Sequence, residues 1–152
     1  MLLKKENGWK NENLDKKEIF KFCQGYKESL DCGKTEREYV KFGLELAKKN
    51  GFVCASTKDK LESGDKVYYV NREKNLVLAV IGKERITKGI NYVVSHIDSP
   101  RIDLKQNPLY EELELGYMKT HYYGGIKKYQ WASIPLSLHG VVILANGEKK
   151  RL

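Results

Sequence analysis

The apolar residues of this 152-residue chain change period once, near residue 65, and that change restricts the possible folds more than any other feature. Before it, Ile19, Phe22, Cys23, Tyr26 and Leu30 stand at i, i+3, i+4, i+7 and i+11, the stripe along one face of a helix. Gly33 predicts the end of that helix. Thr35-Glu36-Arg37-Glu38 has the form of a capping box, in which a hydroxyl and a carboxylate each satisfy a backbone N–H left without a helical partner. Tyr39, Phe42, Leu46 and Ala47 predict the buried face of a second helix, closed at Asn50-Gly51, where glycine accepts positive φ. Cys23, on the apolar stripe, is expected to pack in the core.

From Lys66 the pattern is that of strands. Val67-Tyr68-Tyr69-Val70 and the run from Leu76 to Ile81 are rich in β-branched and aromatic residues, with a polar connection at 71–75. Ile90-Asn91-Tyr92-Val93-Val94 predicts a third strand, apolar as when both faces are covered. After Pro100 the chain is dense in Tyr, Gly and Lys without a helical period, and Leu138 to Leu144 predicts a last strand. Two helices followed by strands predict an α/β class with a mixed sheet. A complete doubly wound domain needs more helices after residue 98. Asn146-Gly147 is a hairpin signal, yet Leu152 follows too soon for a returning strand to be expected. Both features predict a domain cut short.

Composition narrows the function classes. No window approaches the roughly 18 apolar residues of a membrane span, and the first residues turn polar after Leu2-Leu3, unlike a secretory leader. The expectation is a cytoplasmic protein with no membrane partner. Cys23, Cys32 and Cys54 form no Cys-x-x-Cys pair, which speaks against a disulfide framework. Net charge is +8, but lysines alternate with acids, as in Asp15-Lys16-Lys17-Glu18, instead of forming a basic block. A basic nucleic-acid-binding module rests on that charge and the ten tyrosines alone, and no nucleic acid is expected as a partner.

The segment with most chemistry is Ser95-His96-Ile97-Asp98-Ser99-Pro100. On a strand, side chains two apart share a side, so His96 and Asp98 at a strand end can face one cleft. A neutral imidazole ligates zinc, and a carboxylate behind it fixes its orientation. Pro100 is expected to stop the strand. The same pair can also simply pack at a strand end. His121 stands among tyrosines before Gly124-Gly125, and His139 is expected to be a packed or hydrogen-bonded structural residue.

The stretch from Ser95 to Arg101, with Leu104-Lys105 and Asn107-Pro108-Leu109-Tyr110 after it, resembles the zinc-binding segment of the aspartyl-aminopeptidase (aminopeptidase I) family. A second long match runs from Lys119 to Trp131 and on through Pro135-Leu136 to Leu138-His139-Gly140-Val141-Val142; it is similar to the bacterial branch. The resemblance implies a zinc-dependent aminopeptidase acting on the free amino end of peptides, with two metals per complete site and cobalt or manganese as alternatives. It implies His96 as a metal ligand and Asp98 as the catalytic-site carboxylate orienting a metal-bound imidazole. Residues 1–135 would then be the N-terminal part of the layered zinc-peptidase domain, and 136–152 the start of an inserted β-rich oligomerisation domain. The remaining ligands and the glutamate base would lie outside these residues, leaving this chain inactive alone and a homo-oligomer when full length. A non-catalytic interaction or assembly domain is the competing expectation. The aspartyl-specific branch carries Gly-Gly-Gly-Ile-Trp and an Asp-Arg-Asp triplet where this chain has Tyr123-Gly124-Gly125-Ile126-Lys127-Lys128 and Trp131 to Pro135, so no acidic preference is implied.

Overall fold

The computed structural model describes residues 7–11 and 13–152. Helix α1, Lys16–Cys32, starts where the Asp15 carboxylate accepts from the Lys17 and Glu18 N–H groups, and it ends at Gly33. Helix α2, Glu36–Lys49, carries the expected capping box between Thr35 and Glu38. The chain leaves it through Gly51 at φ 82, a left-handed conformation with no steric cost for glycine.

Strand β1, Val53–Cys54, runs parallel to β2, Lys66–Asn71, and β2 pairs antiparallel with β3, Asn75–Val80. This mixed sheet lies under α2. Among the described residues, Val40, Ala47 and Val67 are the buried hydrophobic ones. Gly43 keeps helix and sheet close: a Cβ there would sit 3.0 Å from Leu76. The buried stripe of α2 is thus centred on Val40, Gly43 and Ala47, a small rotation from the expected one, and it leaves Leu46 half-exposed.

Four expectations are corrected. The apolar face of α1 is not covered: Phe22 is 77% exposed, Tyr26 also faces out, and Cys23 is exposed instead of packed. A helical period marks the face able to be buried, not what lies against it. Residues 89–100 form no strand, since among the described residues no strand lies beside them to supply ladder bonds, and Val93 and Val94 are open to solvent. Pro100 does not end a strand but precedes one: β4, Arg101–Glu112, begins directly after it and forms a long hairpin with β5, Leu115–Tyr123. Finally, the chain does return after Asn146-Gly147. β6, Val141–Ile143, pairs with β7, Lys149–Arg151, because Gly147 adopts φ 84 and the Asn146 side chain accepts from the Glu148 N–H. Three residues per strand suffice, so that turn is no sign of a missing strand.

After residue 98 the helix among the described residues is the single turn α3, Lys128–Trp131. The accessible surface is 13998 Å², against about 7,900 Å² for a compact monomer of this mass. Much apolar surface therefore stands open along α1 and residues 89–94.

Candidate metal centre

His96 and Asp98 lie on the extended segment just before β4. Among the described residues this segment makes no ladder bonds, and side-chain contacts tie it to its neighbours. His96 Nδ1 is 2.9 Å from the Asp98 carbonyl oxygen and 3.1 Å from Asp98 Oδ1. Both are acceptors, so Nδ1 carries the proton of the neutral ring and Nε2 keeps its lone pair. The His96 side chain is 83% exposed, and that of Asp98 31%. The two do meet, through a ring-to-carboxylate bond and not through the alternation of a strand. An imidazole held in this tautomer is a metal ligand in waiting.

The other carboxylate oxygen is also engaged. The Tyr123 hydroxyl, at the far end of β5, donates to Asp98 Oδ2 at 2.7 Å. That bond is the main reason the Asp98 carboxyl lies below its usual range; its own backbone N–H and His96 add to it. The same bond raises the Tyr123 phenol above its usual value. Tyr123 is placed by the hairpin, in which it stands opposite Arg101. The Arg101 guanidinium lies 4.1 Å from the centre of the Tyr123 ring, a cation–π contact. Its Nε donates to Asp103 at 2.7 Å, and Nη2 reaches Glu36 on α2 at 3.4 Å. Gly124, at φ 77, turns the chain immediately after Tyr123, and a Cβ there would meet Pro100 at 3.4 Å. The hairpin base is thus closed around the His96–Asp98 segment.

The other histidines take different positions. His139 Nδ1 lies 3.1 Å from Glu38 Oε1 and its Nε2 2.8 Å from Ser137 Oγ, the hydrogen-bonded structural role expected of it. His121 pairs across the hairpin with Asp103, stacks on Tyr122 and lines an open hollow of about 420 Å³ with Ile102, Lys128 and Trp131. Among the described residues, no group of three or more His, Cys, Asp or Glu is arranged to hold a metal ion. His96 offers one nitrogen donor of the kind zinc takes, and a complete protein zinc site uses three or four.

Sequence reasoning missed Tyr123 and Arg101 as parts of this arrangement. The only available signal was indirect: Pro100-Arg101 and Tyr123-Gly124 flank a stretch that must fold back on itself to join them.

Comparison with known proteins places this geometry in a family. The model of the aminopeptidase I zinc metalloproteases, M18, matches residues 30–152, and the chain belongs to that family. Zinc is the metal by which the family is described. A probable M18 family aminopeptidase 1 of Borrelia garinii subsp. bavariensis is 51% identical over 148 residues, covering 97% of this chain and 32% of the relative. The corresponding protein of Clostridium acetobutylicum is 43% identical over 152 residues, again covering 97% of this chain and 33% of the relative. Among solved structures, aminopeptidase I from Borrelia burgdorferi B31 superposes with a TM-score of 0.91 at 50% identity, over 97% of this chain and 37% of that one. The M18 aminopeptidase of Thermotoga maritima gives 0.89 at 39%, over 99% and 33%. The chain spans about a third of the length of these relatives.

Proposed function

We propose that these residues form the amino-terminal part of a cytoplasmic zinc aminopeptidase that removes residues from the free amino end of peptides. The observation that carries the proposal is the His96 ring, held by Asp98 with Nε2 free and exposed, within a chain of the M18 family. His96 is assigned as one zinc ligand. Asp98 is assigned to keep the ring in the ligating tautomer and to strengthen it as a donor. Zinc held there by His96 and the further ligands would supply Lewis acidity and a more acidic water for hydrolysis at neutral pH. The chain's own contribution is to hold one donor at a fixed angle through Asp98. The further ligands and the general base are assigned to residues beyond the 152, so that this part alone is inactive. The uncovered apolar surface supports burial against the rest of such an enzyme, and homo-oligomeric assembly is assigned to the complete protein.

The test is hydrolysis of amino-acid p-nitroanilides by the full-length protein, alongside the same substrates acetylated at the amino group. The free-amine substrates should turn over, lose turnover with a chelator and regain it with zinc. Equal turnover of acetylated substrates, or full activity after the metal is removed, would contradict the proposal.

A further inference from the structure

Among the described residues no strand pairs with the His96–Asp98 segment, and side-chain contacts hold the carboxylate that fixes the ring. One Asp98 oxygen faces His96 Nδ1 at 3.1 Å, and the other accepts from the Tyr123 hydroxyl at 2.7 Å. Tyr123 is itself held from three directions. Arg101 covers its ring at 4.1 Å, the hairpin register sets it opposite Arg101, and the chain turns tightly at Gly124 against Pro100. Arg101 is in turn tied to Asp103 and to Glu36 on α2. A continuous path of contacts runs from α2 through Arg101, Tyr123 and Asp98 to the His96 ring.

We infer that Tyr123 is a positioning residue of the metal centre: its hydroxyl locks the Asp98 carboxylate in the rotamer that holds the His96 ring for ligation. The inference rests on the assignment of His96 as a metal ligand, and it adds a third residue behind the ring. With both oxygens engaged the Asp98 carboxylate is held in one rotamer, and loss of such orienting partners behind a ligating histidine costs metal affinity. Tyr123 touches no substrate in this scheme. It acts only through Asp98.

Two readouts on the full-length enzyme decide it. The first is zinc affinity by chelator competition, measured in wild type, Tyr123→Phe, Asp98→Ala, the double variant and His96→Ala. Phenylalanine keeps the ring under Arg101 and removes only the hydroxyl, so folding is preserved. Loss of one hydrogen bond to the carboxylate should weaken zinc roughly 3- to 10-fold. In the Asp98→Ala background the same change should have no further effect, because the connection is already cut. The second readout is the His96 tautomer in the metal-free protein by nitrogen NMR: the Nδ1-protonated fraction should fall in Tyr123→Phe. An equal loss of zinc affinity in both backgrounds, or unchanged affinity and tautomer in Tyr123→Phe, would overturn the inference. His96→Ala separates it from its premise. If that variant binds zinc as wild type does, the ligand assignment fails; if it loses zinc while Tyr123→Phe does not, only the role of Tyr123 fails.

Discussion

Gly124 and Gly125 are adjacent, yet the structure gives them opposite tolerances for a side chain. Gly124 has φ 77 and closes the hairpin base against Pro100, whereas Gly125 has no positive φ and nothing within 4 Å of an added Cβ. Alanine at either position reduces the freedom of the unfolded chain by a similar amount, about 0.4–1 kcal/mol in favour of folding. That gain is common to both and cancels in the comparison. What remains is the cost of an L-residue in the left-handed region at 124, about 1–2 kcal/mol. The 3.4 Å approach to Pro100 is ordinary contact and adds little. The strain falls where Tyr123 and Arg101 close the hairpin, so it should appear as local opening. Amide hydrogen exchange read over β4 and β5 is the assay. The amides of residues 101–104 and 120–123 should exchange roughly 5- to 30-fold faster in Gly124→Ala than in Gly125→Ala. Equal protection in the two variants would refute the placement of strain at Gly124 and the view that this turn holds the hairpin base shut.

Glu38 supplies a pH prediction. Burial alone would raise its pKa, but hydrogen bonds from His139, from the Lys34 and Thr35 N–H groups and from the Thr35 hydroxyl outweigh it, leaving the carboxyl below its ordinary value. A depressed carboxyl pKa contributes stability that is complete above the unfolded value of about 4.3 and is lost as pH falls through the folded value. The start of α2 and its contact to His139 should therefore persist at pH 5, with the Glu38 carboxyl carbon titrating below its ordinary value by NMR; a midpoint at or above that value would contradict the capping geometry. Asp98→Ala in the full-length enzyme should weaken metal binding or activity roughly 10- to 100-fold and recover in part with excess zinc or cobalt; failure of any excess metal to restore activity would contradict an orienting role.

Features set by neighbouring residues were legible in the sequence. The Thr35–Glu38 box and the Asn50-Gly51 stop depend on local chemistry and are present as read; the apolar runs read as strands are β2 and β3, though their antiparallel pairing through Arg72 and Glu73 at positive φ was not read. The β4–β5 hairpin was not legible, because its turn uses Leu113 at φ 54 and Glu114 at φ 62 with neither Gly nor Asn to announce it. A bulge between Leu104 and Leu109, with Asn107 at φ 52, also breaks the alternation that would have marked β4 as a strand. With the hairpin unseen, Tyr123 could not be brought to Asp98 across 25 residues of sequence. β7 escaped for another reason: Lys149-Lys150-Arg151 has no apolar alternation and forms a strand only because the turn delivers it to β6. His96 and Asp98 were expected to face one cleft from a strand end; instead they are hydrogen-bonded to each other on residues that do not adopt strand geometry.

The central claim is that His96 ligates zinc, and metal stoichiometry tests it most directly. Full-length wild type and His96→Ala should be purified, checked for native folding by circular dichroism, dialysed against a weak chelator and analysed for zinc per folded molecule. The account predicts that His96→Ala loses one zinc relative to wild type and nearly all aminopeptidase activity, with no recovery in excess metal. An unchanged zinc content in correctly folded His96→Ala would contradict it.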